Sequence, residues 1–143
     1  MNKSTLILAL SLSLAAAGTA AAQAVSSAAD VTQRLASAGY TEVRDIEFDD
    51  GLWEAEVRHA DGRWHDVAVD GSTGDVLDDR GNTPLITAAE LMTRLQAAGY
   101  TDIRDTDLDD AVWEVDATSK AGQRVELRIN AHSGKVISEN LDD

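Results

Sequence analysis

The chain has no cysteine, one proline in 143 residues and an aromatic content of only 4%. Positive charge is scarce too: 12 Lys and Arg stand against 26 Asp and Glu, for a formal net charge of -14. Without cysteine there is no disulfide scaffold, thiolate zinc site, thiol nucleophile or lipidation point. The negative charge repels phosphate backbones, so no nucleic-acid partner is expected. Long apolar runs are also missing. The one from Leu6 to Leu14 is interrupted by Ser11 and Ser13 and falls short of the roughly 20 residues that span a bilayer. What is present is an ordinary 43% of hydrophobic residues, enough for a packed core and against wholesale disorder.

The short apolar run follows Lys3 and leads into small residues from Ala15 to Ala24. That three-part pattern predicts a secretory signal peptide over residues 1–24, cut after Ala22 or Ala24. The expected product is periplasmic or secreted, with no stable membrane anchor after cleavage.

The remainder is one unit written twice. A shift of 60 places Gly39-Tyr40-Thr41 on Gly99-Tyr100-Thr101, Trp53-Glu54 on Trp113-Glu114, and Gly62 and Gly74 on Gly122 and Gly134. Without a gap, 17 of 59 pairs are identical, where chance gives about one in sixteen, so the chain carries an internal duplication. The units are residues 25–80 and 85–143, joined by the turn-forming Gly81-Asn82-Thr83-Pro84. A unit of about 60 residues is marginal alone, which favours packing of one on the other.

Each unit predicts a helix followed by four short strands. Thr87 and Glu90 form a capping box, Leu91, Leu95 and Ala98 share a helix face, and Gly99 stops the helix. Ser27, Asp30, Val31, Leu35, Ala38 and Gly39 repeat the pattern. A two-residue Asp50-Gly51 turn pairs Phe48 with Trp53 and Ile46 with Ala55, all four on one buried face. A three-residue Ala60-Asp61-Gly62 loop pairs Val57 with His65, Ala55 with Val67 and Trp53 with Val69; the second unit gives the same register. The predicted fold is α+β: two tandem repeats, each one helix packed on a four-stranded antiparallel meander sheet.

The ending Val69-Asp70-Gly71-Ser72-Thr73-Gly74-Asp75-Val76-Leu77, after the Gly-Tyr turn and the Trp-Glu strand, resembles the PepSY domain of protease propeptides. The second unit departs from the pattern, with Asn130 for the Asp and Lys135 for the acid. The architecture is also similar to that of secreted β-lactamase inhibitor proteins, without their aromatic-rich sheets. The PepSY resemblance implies a small exported, non-catalytic module that binds and modulates another extracytoplasmic protein, a peptidase foremost.

The acidic runs from Asp45 to Asp50 and from Asp105 to Asp110 imitate a calcium loop. They lack its turn glycine, which Asp50 and Asp110 replace, and read as strand edges. A divalent-cation-responsive or calcium-buffering protein is the alternative reading. His59, His65 and His132 are expected not to cluster. No metal site, cofactor or catalytic residue is expected. The candidate protein-binding residues lie on the sheet face away from the helix: Trp64, Arg58 opposite it, and Glu54, Glu56 and Asp66. Trp64 is the candidate anchor, since aromatic residues are enriched at binding hot spots.

Overall fold

The computed structural model describes residues 23–142. The expected signal peptide, up to its earlier cleavage point, lies outside the described residues. In chain order the elements are α1 (Ala28–Ser37), β1 (Val43–Asp49), β2 (Leu52–Arg58), β3 (Trp64–Asp70) and β4 (Val76–Leu77). The second unit follows with α2 (Ala88–Ala97), β5 (Thr101–Asp109), β6 (Val112–Thr118), β7 (Arg124–Asn130) and β8 (Val136–Leu141). The two sheets run β1-β2-β3-β4 and β5-β6-β7-β8, with every pairing antiparallel. The tandem α+β plan is therefore the one the sequence predicts.

Local chemistry sets the helix ends. Thr87 Oγ1 accepts the Glu90 amide at 3.2 Å, and Glu90 accepts the Thr87 amide at 2.8 Å, which completes a capping box. Those bonds favour the ionised carboxylate and hold Glu90 below its usual pKa. Val31, Leu35, Leu91 and Leu95 are buried against the sheets. Ala38 and Ala98, expected on the same faces, are instead the exposed C-caps.

The central strand pairs match the expected register in both units: Val57 with His65 and Trp53 with Val69, Ala117 with Val125 and Trp113 with Ile129. Phe48 faces Trp53, but Ile46 does not pair with Ala55. The ladder shifts between Arg44 and Glu47, where Asp45 at φ 51° inserts an extra residue opposite Ala55. Ile46 still packs against the core, because the bulge resets the alternation. β5 shifts twice, with Asp102 at φ 47° and Asp105 at φ 44°. Aspartate tolerates the left-handed region better than most residues, so part of the acidic pattern in β1 and β5 supplies these bulges. Phe48 stacks on Trp53 with ring centroids 4.8 Å apart, yet it sits at the sheet margin and is 57% exposed rather than buried.

The expectation of a single buried face per sheet needs a second correction. Leu52, Ala68 and Leu77 lie on the helix-free side of the first sheet. They are buried in one cluster with Ala111, Val112 and Ala131 of the second unit. The repeats therefore pack through the turn ends of their helix-free faces. Full burial of Leu52 and Leu77 stabilises the junction by about 2 kcal/mol each.

Candidate functional site

The junction has a pseudo-two-fold axis, visible as contacts that survive exchange of the repeats. A Cβ placed on Gly51 meets Ile137 Cγ2 at 3.4 Å, and the equivalent residues Ala111 and Leu77 share the junction cluster. Asn140 donates to Asp50 at 2.9 Å, and the equivalent Arg80 acts electrostatically on Asp110. This is the isologous arrangement of a symmetric dimer, built within one chain.

Charge breaks the symmetry in two places. Asp70 is fully buried; its Oδ1 accepts from the Ser72 amide at 2.8 Å and the Ser72 hydroxyl at 2.7 Å. Its Oδ2 receives Lys135 Nζ from the other repeat at 3.2 Å. Burial alone raises the Asp70 pKa, but the bonds from Ser72 and Lys135 outweigh it and hold the carboxyl below its usual value. Asn130 makes the same turn, accepting the His132 and Ser133 amides at 2.8 and 3.1 Å. The residue related to Lys135 is Asp75, so a carboxylate at 130 would find no matching ammonium, and the neutral amide suits the place. The two departures from the repeated motif are thus one compensated exchange.

The second break forms a cleft. Arg128 is mostly buried and bridges Asp49 at 3.1 Å, Glu114 at 3.5 Å and Glu54 at 3.9 Å. The residue related to Arg128 is Ala68. Beside it a cleft of about 270 Å³ opens between the sheets. Leu52, Ala68 and Val112 contribute its apolar lining, and Asp66, Asp109 and Asp110 contribute carboxylates beyond those that Arg128 holds. Among the described residues, no cation lies within 4.0 Å of those three carboxylates. Burial, with the charges of Asp109, Asp66 and Asp79 adding to it, pushes Asp110 up to about 6, against a smaller opposing effect of Arg80.

The candidate binding residues divide between this cleft and the far end of the first sheet. Glu54 and Asp66 line the cleft. Trp64, Arg58 and Glu56 lie beyond it, with Trp64 opposite Arg58 as expected. The cation over the Trp64 ring is Arg44, 4.0 Å from the centroid, and not Arg58, which pairs with Glu42 at 3.1 Å. Arg44 also bridges Glu56, so Trp64, Arg44 and Glu56 form one stack, with Trp64 half-buried. Trp53 and Trp113 are on the helix sides, where their indole N–H groups donate to Val25 O at 3.0 Å and Ile86 O at 3.3 Å.

The histidines do meet, contrary to expectation. His59 and His65 stand edge to face with centroids 4.9 Å apart. His59 Nε2 is 3.5 Å from Asp78 Oδ2, and His132 Nε2 faces the Asp78 amide at 3.5 Å from the second repeat. Tyr40 donates to the same carboxylate; burial and that carboxylate push its phenol pKa up. The register that sets Val57 opposite His65 also places His59 on that face, two residues along, so the clue was in the pairing. Among the described residues, no group of three or more His, Asp or Glu side chains is arranged to hold a metal ion. The acidic runs lie in β1, β5 and their hairpins rather than in a cation-binding loop.

Two helix-on-meander units with a duplicated Asp/Asn-turn-Gly ending define a tandem propeptide-type module. The family described as "Peptidase propeptide and YPEB domain" matches residues 4–80 and 83–140, and the chain belongs to this PepSY family. No curated protein and no solved structure matches the chain. Among the described residues, no helix is long and apolar enough to cross a membrane.

Proposed function

We propose that the chain is an exported, non-catalytic PepSY module that binds an extracytoplasmic protein through its helix-free sheet faces and modulates it. A peptidase is the partner class that the family description favours. The observation that carries this reading is the shape of those faces. They converge on an open, acidic cleft with an apolar lining, flanked by the half-buried Trp64, while the helices cover the opposite sides. Apolar surface ringed by charge is the usual anatomy of a recognition patch.

The test is affinity capture from the exported fraction, with wild type, Trp64→Ala and the double variant Glu54→Gln/Asp66→Asn as baits. The reading expects a protein retained by wild type and depleted on both variants. Equal retention by all three baits would move the binding surface elsewhere. The alternative reading, a divalent-cation-responsive protein, draws on the density of carboxylates in the cleft, which among the described residues are not grouped as metal ligands. Calorimetry with calcium separates the two: a saturable heat abolished by Asp109→Asn supports the second reading, and none supports the first.

A further inference from the structure

The two sheets correspond strand by strand except along one edge. In the second unit β8 covers β7: Arg128 pairs with Ser138, Leu127 with Glu139, Glu126 with Asn140 and Val125 with Leu141. Arg124 O then accepts the Asp142 amide at 3.0 Å. In the first unit β4 stops after two pairs, Val69 with Val76 and Ala68 with Leu77. The chain then turns off at Asp78, whose carbonyl accepts the Gly81 amide, and His132 of the second unit sits between the Asp78 amide and Pro84 O. The Asp70 amide donates to Asp75 O, so the backbone groups of Asp70 point towards β4. By the two-residue period of a strand, so do those of Ala68, Asp66 and Trp64. Among the described residues, no backbone hydrogen bond reaches Trp64 or Asp66 from that side. The other outer edges are interrupted. β1 and β5 bulge at left-handed aspartates, and β8 shifts register beside Ile129, features that hinder pairing with another chain. β3 keeps unbroken register with β2, so its open edge is regular.

We propose that an extended segment of a partner protein, carrying a basic side chain, adds to β3 as an antiparallel strand along residues 64–67, in the place that residues 138–141 of β8 take in the second sheet. This deepens the proposed binding function and rests on it. A row of unpaired strand amides and carbonyls is a template for another chain. Main-chain bonds supply the affinity of such an addition, and its alternate side chains supply the selectivity. The internal precedent fixes which side chains meet. Asn140 lies opposite Glu126, so the partner residue in its place lies opposite Asp66, which is exposed. Asp66 and Asp79 both act on Asp110, and this negative surround selects lysine or arginine there. Trp64, half-buried beneath Arg44, flanks the same position. A second copy of the chain suits the edge poorly. Its formal net charge of -14 opposes self-association, and like charges on facing strands repel.

The experiment follows amide exchange and chemical shifts of ¹⁵N-labelled protein, purified from the exported fraction, with acetyl-Thr-Val-Lys-Val-Thr-amide as the probe. In the free protein the Asp66 amide should exchange on the order of a hundredfold faster than that of Glu126, its paired counterpart. The peptide should give saturable shifts at Trp64, Asp66 and Val67, with a dissociation constant in the millimolar range, and should slow exchange at Trp64 and Asp66. N-methylation of the lysine removes the donor to Asp66 O and should weaken binding on the order of tenfold. N-methylation of the second valine, whose amide faces away, should leave binding unchanged. Glutamate in place of lysine should also bind on the order of tenfold more weakly, and Asp66→Asn should narrow that gap. No saturable shift along β3, an Asp66 amide as protected as that of Glu126 before peptide is added, equal binding of the two N-methylated peptides, or equal binding of the glutamate peptide would each overturn the proposal. Protection of Trp64 and Asp66 that rises with protein concentration alone would give the edge to a second copy and overturn the basic partner. These readouts need no captured protein. A partner retained through Trp64 without peptide on the edge would refute strand addition and leave the binding function standing. Peptide on the edge without any captured protein would do the reverse.

Discussion

Replacing Asp110 by asparagine should stabilise the protein at neutral pH, and the structure gives the size of the effect. Asp110 opens the two-residue turn between β5 and β6 at φ 42°, a conformation asparagine adopts at least as readily. The change therefore removes a charge and leaves the turn intact. In the folded chain the carboxyl is pushed from 3.8 up to about 6 by burial and by Asp109, Asp66 and Asp79. At about 1.4 kcal/mol per pKa unit, the rise would correspond to roughly 3 kcal/mol. Asp110 is only half-buried and solvent screens its neighbours, so the effect should be nearer 1 kcal/mol. The sign follows from proton counting. Between the unfolded and folded pKa values the native state holds the extra proton, so stability falls as pH rises from about 4 to about 6. Above that window the penalty is fully present. Urea unfolding at pH 4, 5, 6 and 7 should show Asp110→Asn gaining over wild type as pH rises, with little difference at pH 4. A constant difference across the series, or a loss at pH 7, would refute the reasoning.

Lys135→Ala removes the cross-repeat partner of the buried Asp70 and should cost about 1–3 kcal/mol at pH 7, read by urea denaturation. Asp70 titrates below its usual value when folded. Its contribution is therefore present above the ordinary carboxylate range and lost as pH falls through the folded value, and Lys135→Ala should move that acid limb to higher pH. Ala111→Gly should be close to neutral by the same measurement. Relief of φ 63° favours glycine by about 1 kcal/mol, while the fully buried Ala111 methyl is worth about 0.8 kcal/mol. Trp64→Ala should cost about 1 kcal/mol, mainly the Arg44 stacking. Trp113→Ala, in the core, should cost about 3–5 kcal/mol; thermal unfolding of the two variants side by side checks the contrast.

The strand register was legible because turn chemistry and alternation agree. Gly62 at φ 80° closes the three-residue loop, and only one register keeps Val57, Ala55 and Trp53 on the covered face. The bulges were hidden, because an aspartate at positive φ looks in sequence like any other acid on a strand. The junction left a trace that alternation alone does not explain. Leu52-Trp53, Val67-Ala68-Val69 and Val76-Leu77, with their counterparts Val112-Trp113 and Val136-Ile137, place apolar residues on both faces at the same end of each sheet. A strand covered on one side has no use for that pattern, and a strand end covered on both sides does. The cleft is harder to read, since it depends on which residue faces which across the axis. Glu54 and Asp66 were identifiable as open-face acids. Their association with Asp109, Asp110 and Arg128 needs the docked repeats.

The most direct test of the helix-free face as the binding surface is photo-crosslinking in the producing cells. A photoreactive amino acid is placed at Asp66, on the rim of the cleft, and separately at Ala36, exposed on the outer side of α1. The account predicts a discrete adduct with another exported protein from position 66 and none from position 36. An adduct from position 36 alone would contradict it.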